Sequence, residues 1–161
     1  MLKSAWRGCL LAGLLLAATS NAAFAGGSAI FKNLAGTWRG SGDMTLADGG
    51  RERITCHGYY GLKSGGEGLT LAILCNSTNY KVEMRGNLED NGGRVSGHWE
   101  ERTFHATGDV SGRATNDKIS LSISGYITGA MSIVTRGRGH TVSISARGTG
   151  FKSVTINLVR G

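Results

Sequence analysis

The sequence predicts an all-β protein, an antiparallel up-and-down barrel of eight to ten strands. Short runs of alternating apolar and polar residues recur along the chain, separated by turn-forming clusters of glycine, asparagine, aspartate and serine. Apart from a short helical turn over residues 28–34, no stretch has a helical period. The runs carry serine and threonine on one face and aliphatic residues on the other, which is typical of antiparallel strands with one face in water.

The N-terminal segment, residues 1–25, has the pattern of an export signal. Lys3 and Arg7 give it a positive start, an apolar run covers residues 10–18, and Ala23-Phe24-Ala25 forms a small-x-small cleavage site. The apolar run is shorter than the roughly 20 residues that a membrane-spanning helix needs. We therefore expect a periplasmic or secreted protein.

Residues 26–161 are expected to form a single barrel domain without a transmembrane segment. Once Lys3 and Arg7 are removed, 16 basic residues face 11 acidic ones. From residue 118 to the C-terminus there is no acidic residue, while six residues are basic: Lys118, Arg136, Arg138, Arg147, Lys152 and Arg160. This asymmetry favours an anionic partner such as the cell envelope surface, although a solvated basic face is the simpler interpretation. Nucleic acid is disfavoured because no aromatics are interleaved with the basic residues.

Ten runs have the length and composition of strands. In chain order they cover residues 36–46, 51–62, 68–75, 80–88, 94–101, 104–114, 118–124, 126–135, 140–147 and 151–160. The later runs show the apolar face most clearly, at positions such as Ile119, Leu121 and Ile123.

The second and third runs form a hairpin whose register can be checked independently. A two-residue turn at residues 65–66, both glycine, suits the positive φ angles of primed turns. Counting outward pairs Leu62 with Leu69 and, six residues further on each strand, Cys56 with Cys75. The apolar residues and both cysteines then share one face. In an oxidising compartment this arrangement predicts a disulfide between Cys56 and Cys75.

The start of the first run, Gly36-Thr37-Trp38, resembles the G-x-W signature of the calycin superfamily, which includes the lipocalins. In that superfamily the tryptophan closes one end of the barrel and packs against a basic residue from late in the chain. The resemblance implies that Gly36, Trp38 and Arg160 close the barrel here, because Arg160 continues the alternation that runs through Leu158. The whole chain also resembles small secreted bacterial proteins. This second resemblance leads to no expectation about what the protein does.

Two narrower resemblances imply different functions. The run Gly36 to Gly42 looks like the G-x-W-x-G-x-G opening of nitrobindin-like haem-binding barrels, in which a late histidine binds iron; His140 is the only late histidine here. The run Leu34 to Trp38, together with one disulfide, is similar to small periplasmic inhibitors of secreted metalloproteases. Their N-terminal arm enters the protease cleft.

The residues themselves predict no catalytic or metal centre, and we expect no cofactor and no enzymatic activity. Three histidines fall at outward positions: His57, His98 and His105. His140 lies beside a turn, where we expect it to be solvated. With both cysteines bonded, a zinc site lacks ligands. No G-x-S-x-G motif is present, and the pair Glu100-Glu101 is expected to form a solvated hairpin end.

The inward positions suggest a binding function. Eight of them are glycine: Gly40, Gly42, Gly58, Gly86, Gly97, Gly108, Gly112 and Gly129. Such glycines mark bends or close backbone approach, but in a barrel they can also leave space for one small ligand. We expect a cavity near Tyr60, Leu71, Met84 and Trp99. The predicted function is non-enzymatic, either binding a small apolar or anionic ligand or acting at the cell envelope. The alternative is a periplasmic protease inhibitor that acts through its N-terminal arm.

Overall fold

A computed structural model describes residues 27–63 and 65–161, so the export signal predicted for residues 1–25 lies outside the described residues. One helix and ten strands are present: α1 Gly27–Leu34, β1 Gly36–Leu46, β2 Arg51–Leu62, β3 Gly68–Asn76, β4 Lys81–Asn91, β5 Arg94–Glu101, β6 Ala106–Ala114, β7 Lys118–Gly125, β8 Thr128–Arg136, β9 Gly139–Arg147 and β10 Phe151–Arg160. Each strand pairs antiparallel with the next, and β10 pairs with β1. The predicted all-β barrel is confirmed, with ten strands and full closure. Within the described part of the chain, no helix has the length and apolarity needed to cross a membrane.

The β2–β3 hairpin has the register expected from the sequence. Leu62 pairs with Leu69 and Cys56 with Cys75. The two cysteines are bonded, with Cα atoms 4.1 Å apart. The turn depends on residues 65–66, whose φ angles are +87° and +77°, values that glycine adopts without strain. The local turn chemistry and the apolar pattern therefore select the same pairing.

Some strands begin later than the alternation suggests because side chains organise the preceding turns. The Ser77 hydroxyl accepts hydrogen bonds from the backbone N–H groups of Asn79 and Tyr80, so β4 begins only at residue 81.

The Glu101 carboxylate accepts hydrogen bonds from the N–H groups of Thr103 and Phe104, at 3.1 and 2.7 Å, and β6 begins at residue 106. Glu101 is buried, so the expectation of a solvated pair was wrong for this residue. Burial of this carboxylate is tolerated because it accepts hydrogen bonds from turn N–H groups that would otherwise have no partner.

The barrel has two different ends. We call the end that carries α1 the helix end; the chain enters β1 there and leaves β10 there. The opposite end, which we call the far end, consists of the turns β1–β2, β3–β4, β5–β6, β7–β8 and β9–β10.

Helix α1 lies across the helix end. Ile30, Phe31 and Leu34 are fully buried, and the helix contacts β2, β3, β4 and β6. The spacing i, i+1, i+4 puts these three side chains on one side of a short helix, which is why this segment is helical although the rest of the chain alternates. The helix places its large apolar side chains against the barrel and covers this end.

The inward glycines bring neighbouring strands close together. At six of the eight positions, a Cβ would overlap a carbonyl oxygen of the adjacent strand: Gly40, Gly42, Gly97, Gly108, Gly112 and Gly129. Gly40, for example, faces the carbonyl of Asn157. These glycines mark places where the strands coil into a closed barrel, so part of the volume left by the missing side chains is filled by backbone.

Candidate functional site

Trp38 is fixed at the helix end by groups on both sides of its indole. Its Nε1–H donates to the Leu34 carbonyl at 2.7 Å. The Arg160 guanidinium lies 4.7 Å from the ring centroid and donates to the carbonyls of Asn33 and Ala35, at 3.0 and 3.1 Å. These carbonyls belong to the last turn of α1 and the residue after it, where helices leave acceptors unpaired. The arginine therefore joins the last strand, the tryptophan and the helix.

Gly36 makes this arrangement possible. Its φ of +136° is one that side-chain-bearing residues rarely adopt, and a Cβ there would lie 2.5 Å from Nη1 of Arg160. The chain turns from α1 into β1 at this residue. The three residues that the resemblance singled out, Gly36, Trp38 and Arg160, thus lie together at the helix end.

His140 is buried beside Trp38, with 4% of its surface exposed. Its ring meets the Trp38 ring edge-on, with centroids 4.4 Å apart, and its Nε2 is 3.2 Å from the Tyr60 hydroxyl. Burial, with a smaller contribution from the Arg160 charge, lowers the pKa of His140 to about 4. Burial also raises the pKa of Tyr60, which keeps the phenol protonated. At neutral pH this is an uncharged, hydrogen-bonded pair.

The expectation that His140 is solvated was therefore wrong. Proximity to the β8–β9 turn suggested exposure, but β9 begins at residue 139 and His140 pairs with Leu158 on the inner face. The alternation already contained this signal, because His140 is in phase with Val142 and Ile144. The other three histidines are exposed, as their positions suggested.

The surroundings of His140 do not fit an iron ligand of the kind that the haem-barrel resemblance implies. Its Nε2 is already within hydrogen-bonding distance of the Tyr60 hydroxyl, and the ring packs perpendicular to that of Trp38. Iron at Nε2 would have to replace the hydrogen bond to the buried Tyr60 hydroxyl. Among the residues that the structure describes, no group of three or more histidine, cysteine, aspartate or glutamate side chains could hold a metal ion.

Toward the far end, the inner wall is apolar and only partly buried. Nine inward residues there, or at the middle of the barrel, retain some exposure while packing against the core: Leu46, Leu71, Ile73, Val82, Met84, Met131, Ile144, Phe151 and Val154. Two of the cavity candidates, Leu71 and Met84, belong to this set. The other two, Tyr60 and Trp99, are buried.

Three aromatic side chains project from the turns of the far end. Tyr80, Phe104 and Tyr126 are 39%, 58% and 69% exposed and lie in the β3–β4, β5–β6 and β7–β8 turns. Three further large apolar side chains are exposed, Tyr59, Leu62 and Val159, on the parts of β2 and β10 near the helix end, so the exposed aromatic side chains in turns all lie at the far end. We refer to Tyr80, Phe104 and Tyr126 as the aromatic rim.

Two inward polar atoms have no partner among the described residues, Nε1 of Trp99 and Nδ1 of His140. Trp99 is 7% exposed and pairs with Gly86 and Gly108 on the inner face of the sheet. Its indole lies over Gly108, where a Cβ would come within 2.7 Å of Nε1. Nothing in the sequence distinguished these two atoms, because hydrogen-bond satisfaction depends on which strands face each other across the barrel.

Charge is unevenly distributed over the outer surface. The salt bridges of the described residues all lie between residues 43 and 109, as in Arg53–Asp43 and the pairing of Glu83 with Arg85 and Arg102. Hydrogen bonding from Arg85 is the main cause that lowers the pKa of Glu83. The basic residues after position 118 have no such partners among the described residues. An open groove of about 520 Å³ lies across β6–β10, and serines form most of its lining, together with Leu121, Met131 and Ile144.

Two solved structures share this architecture. Rv2717c from M. tuberculosis matches with a TM-score of 0.67 and 17% identity, over 82% of this chain and 95% of that one. The S-type phycobiliprotein lyase CPES from Guillardia theta matches with a TM-score of 0.61 and 11% identity, over 84% and 93%. At these identities the similarity shows the fold alone, which is consistent with a lipocalin-like calycin barrel. No protein-family model and no curated protein matches the sequence.

Proposed function

We propose that this protein is an exported, non-enzymatic barrel that binds a small, mainly apolar molecule through its far end. The observation that carries the proposal is the difference between the two ends. Ile30, Phe31 and Leu34 are fully buried at the helix end, whereas Met84, Met131 and other inward residues toward the far end keep some exposure. A ligand bound there would remove this apolar surface from water, at roughly 25 cal/mol for each Å².

The aromatic rim gives the same end a suitable approach. Tyr80, Phe104 and Tyr126 surround the turns through which a ligand would pass. Aromatic side chains can contact an apolar molecule before it is enclosed. The shared fold with a protein named as a phycobiliprotein lyase is compatible with small-ligand binding.

The rival function, protease inhibition by an N-terminal arm, has less support. The described residues ahead of Leu34 form α1, whose apolar side is committed to covering the barrel. An arm of this kind would need an extended segment free to enter a protease cleft. Export is proposed on the pattern of residues 1–25 alone, and the disulfide is consistent with it.

The test is saturable binding of an environment-sensitive apolar dye to the folded protein, with displacement by undecane. Met131→Trp should obstruct the inner wall and weaken dye binding about tenfold or more, while Ser132→Trp, its outward neighbour on β8, should leave dye affinity unchanged. Equal effects of the two substitutions, or absence of saturable binding, would contradict the proposal.

A further inference from the structure

The barrel interior holds two buried polar atoms that no described residue satisfies, which is unusual for a folded chain. A buried donor without a partner costs about 1–3 kcal/mol, and native proteins retain few of them. Trp99 and His140 are both more than nine-tenths buried, both on the inner face, and both keep a ring nitrogen without a partner among the described residues.

Both unsatisfied atoms are hydrogen-bond donors. An indole Nε1 can only donate. For His140, the tautomer follows from Tyr60, whose phenolic hydrogen has one partner among the described residues, Nε2 of the histidine. If Tyr60 donates to Nε2, the neutral imidazole must carry its proton on Nδ1. The interior therefore presents two N–H groups that need acceptors.

The inner face lacks a free cation. Among the inner-face strand residues of the described chain, Arg160 is the only lysine or arginine, and its guanidinium is committed to Trp38 and the carbonyls of Asn33 and Ala35. Three acids lie on the inner register of the described strands: Asp90 and Glu101 accept hydrogen bonds from turn N–H groups, and Glu52 accepts one from the Asn79 side chain. A buried carboxylate ligand would have no counter-charge, and burying an unpaired charge is strongly unfavourable.

We propose that the ligand of this barrel is a neutral molecule with an apolar body and oxygen acceptors, such as a ketone, ester or amide, whose oxygens accept from His140 Nδ1–H and Trp99 Nε1–H. The inference rests on the proposed function, and it adds the chemical class of ligand. It excludes simple hydrocarbons and fatty-acid anions as the preferred ligands.

A matched ligand series tests this class with the same dye. The three probes share eleven carbons and differ in the polar group: undecane, 2-undecanone and undecanoate at pH 7. We expect 2-undecanone to displace the dye at about tenfold lower concentration than either of the others, the effect of one net hydrogen bond. Displacement by undecane and 2-undecanone at equal concentration, or preference for undecanoate, overturns the inference but leaves apolar binding intact. Absence of saturable dye binding overturns both proposals.

Two substitutions of one histidine separate hydrogen bonding from packing. The asparagine amide can place an N–H near the position of Nδ1, whereas glutamine extends to that of Nε2. We expect His140→Asn to retain the preference for 2-undecanone and His140→Gln to lose it. Trp99→Phe should reduce the ratio by which 2-undecanone is preferred over undecane. If His140→Gln keeps the full preference while remaining folded, His140 is not the donor.

Nuclear magnetic resonance supplies a readout that does not depend on affinity. In the free wild-type protein, the ¹⁵N shifts of His140 should report a protonated Nδ1 and an unprotonated Nε2. Adding 2-undecanone should move the indole N–H signal of Trp99, while that of Trp38, already bonded to Leu34, should stay in place. Equal movement of both indole signals, or a protonated Nε2, contradicts the assignment.

Discussion

The helix end and the far end use the same strands differently. At the helix end, the apolar side of α1 is buried and hydrogen bonds join Trp38 and Arg160 to the end of this helix, although Tyr59, Leu62 and Val159 on β2 and β10 remain exposed. At the far end, inward aliphatic residues remain partly exposed and the aromatic rim faces outward. The fully buried side chains of α1 and the hydrogen bonds to its end lie at the helix end, so we expect substitutions there to lower the free energy of unfolding more than substitutions at the far end.

The largest expected effect comes from breaking the helix end. Trp38→Ala removes a large buried ring, its bond to Leu34 and the surface on which Arg160 lies. It should lower the free energy of unfolding by about 3–5 kcal/mol, the range for removing a buried aromatic. Chemical denaturation monitored by circular dichroism measures this. An unchanged midpoint would contradict a central structural role for the helix end.

Loss of the disulfide should have the next largest effect. The bond closes a loop of 19 residues, and the chain-entropy model gives about 3 kcal/mol for a loop of this length. Reduction, or a double change of Cys56 and Cys75 to alanine, should lower the free energy of unfolding by this amount. In protein that consists of residues 26–161, and so lacks Cys9, alkylation should add mass only after reduction, and labelling without reductant would contradict the bond.

Acid should weaken the helix end through His140. Its pKa is about 4 in the folded protein and about 6.5 when unfolded, so the unfolded chain binds the proton more readily. The contribution of His140 to the free energy of unfolding is therefore complete above pH 6.5. It is lost as the pH falls, and the free energy of unfolding decreases by about 2 kcal/mol between pH 6.5 and 5. Denaturation at several pH values measures it. His140→Asn should abolish this part of the pH dependence, and a variant that retains it would assign the effect elsewhere.

The smallest expected effect on stability lies at the far end. Phe104→Ser and Tyr126→Ser remove exposed side chains and should change the free energy of unfolding by no more than about 0.5 kcal/mol. The same changes should weaken dye binding if the aromatic rim meets the ligand. Val159→Ser, which removes an exposed apolar side chain of β10, serves as the control and should alter neither property. Large destabilisation by the rim substitutions would mean that both ends are structural.

The amino-acid sequence alone determined the strands, their inward faces and the β2–β3 register. These features are local, because alternation, glycine turns and cysteine spacing act between residues that are near in sequence or joined by one hairpin. The sequence also suggested that Gly36, Trp38 and Arg160 meet, through a resemblance that spans both ends of the chain.

Only the tertiary structure decided what lies inside the barrel. Tyr60 and His140 are 80 residues apart, yet their hydrogen bond depends on closure of β1 with β10, which brings β2 near β9. Nε1 of Trp99 has no partner among the described residues, and inward glycines such as Gly97 lie against the backbone of the adjacent strand. Hydrogen-bond satisfaction and free volume are properties of surfaces that meet across the barrel, and no local pattern encodes them.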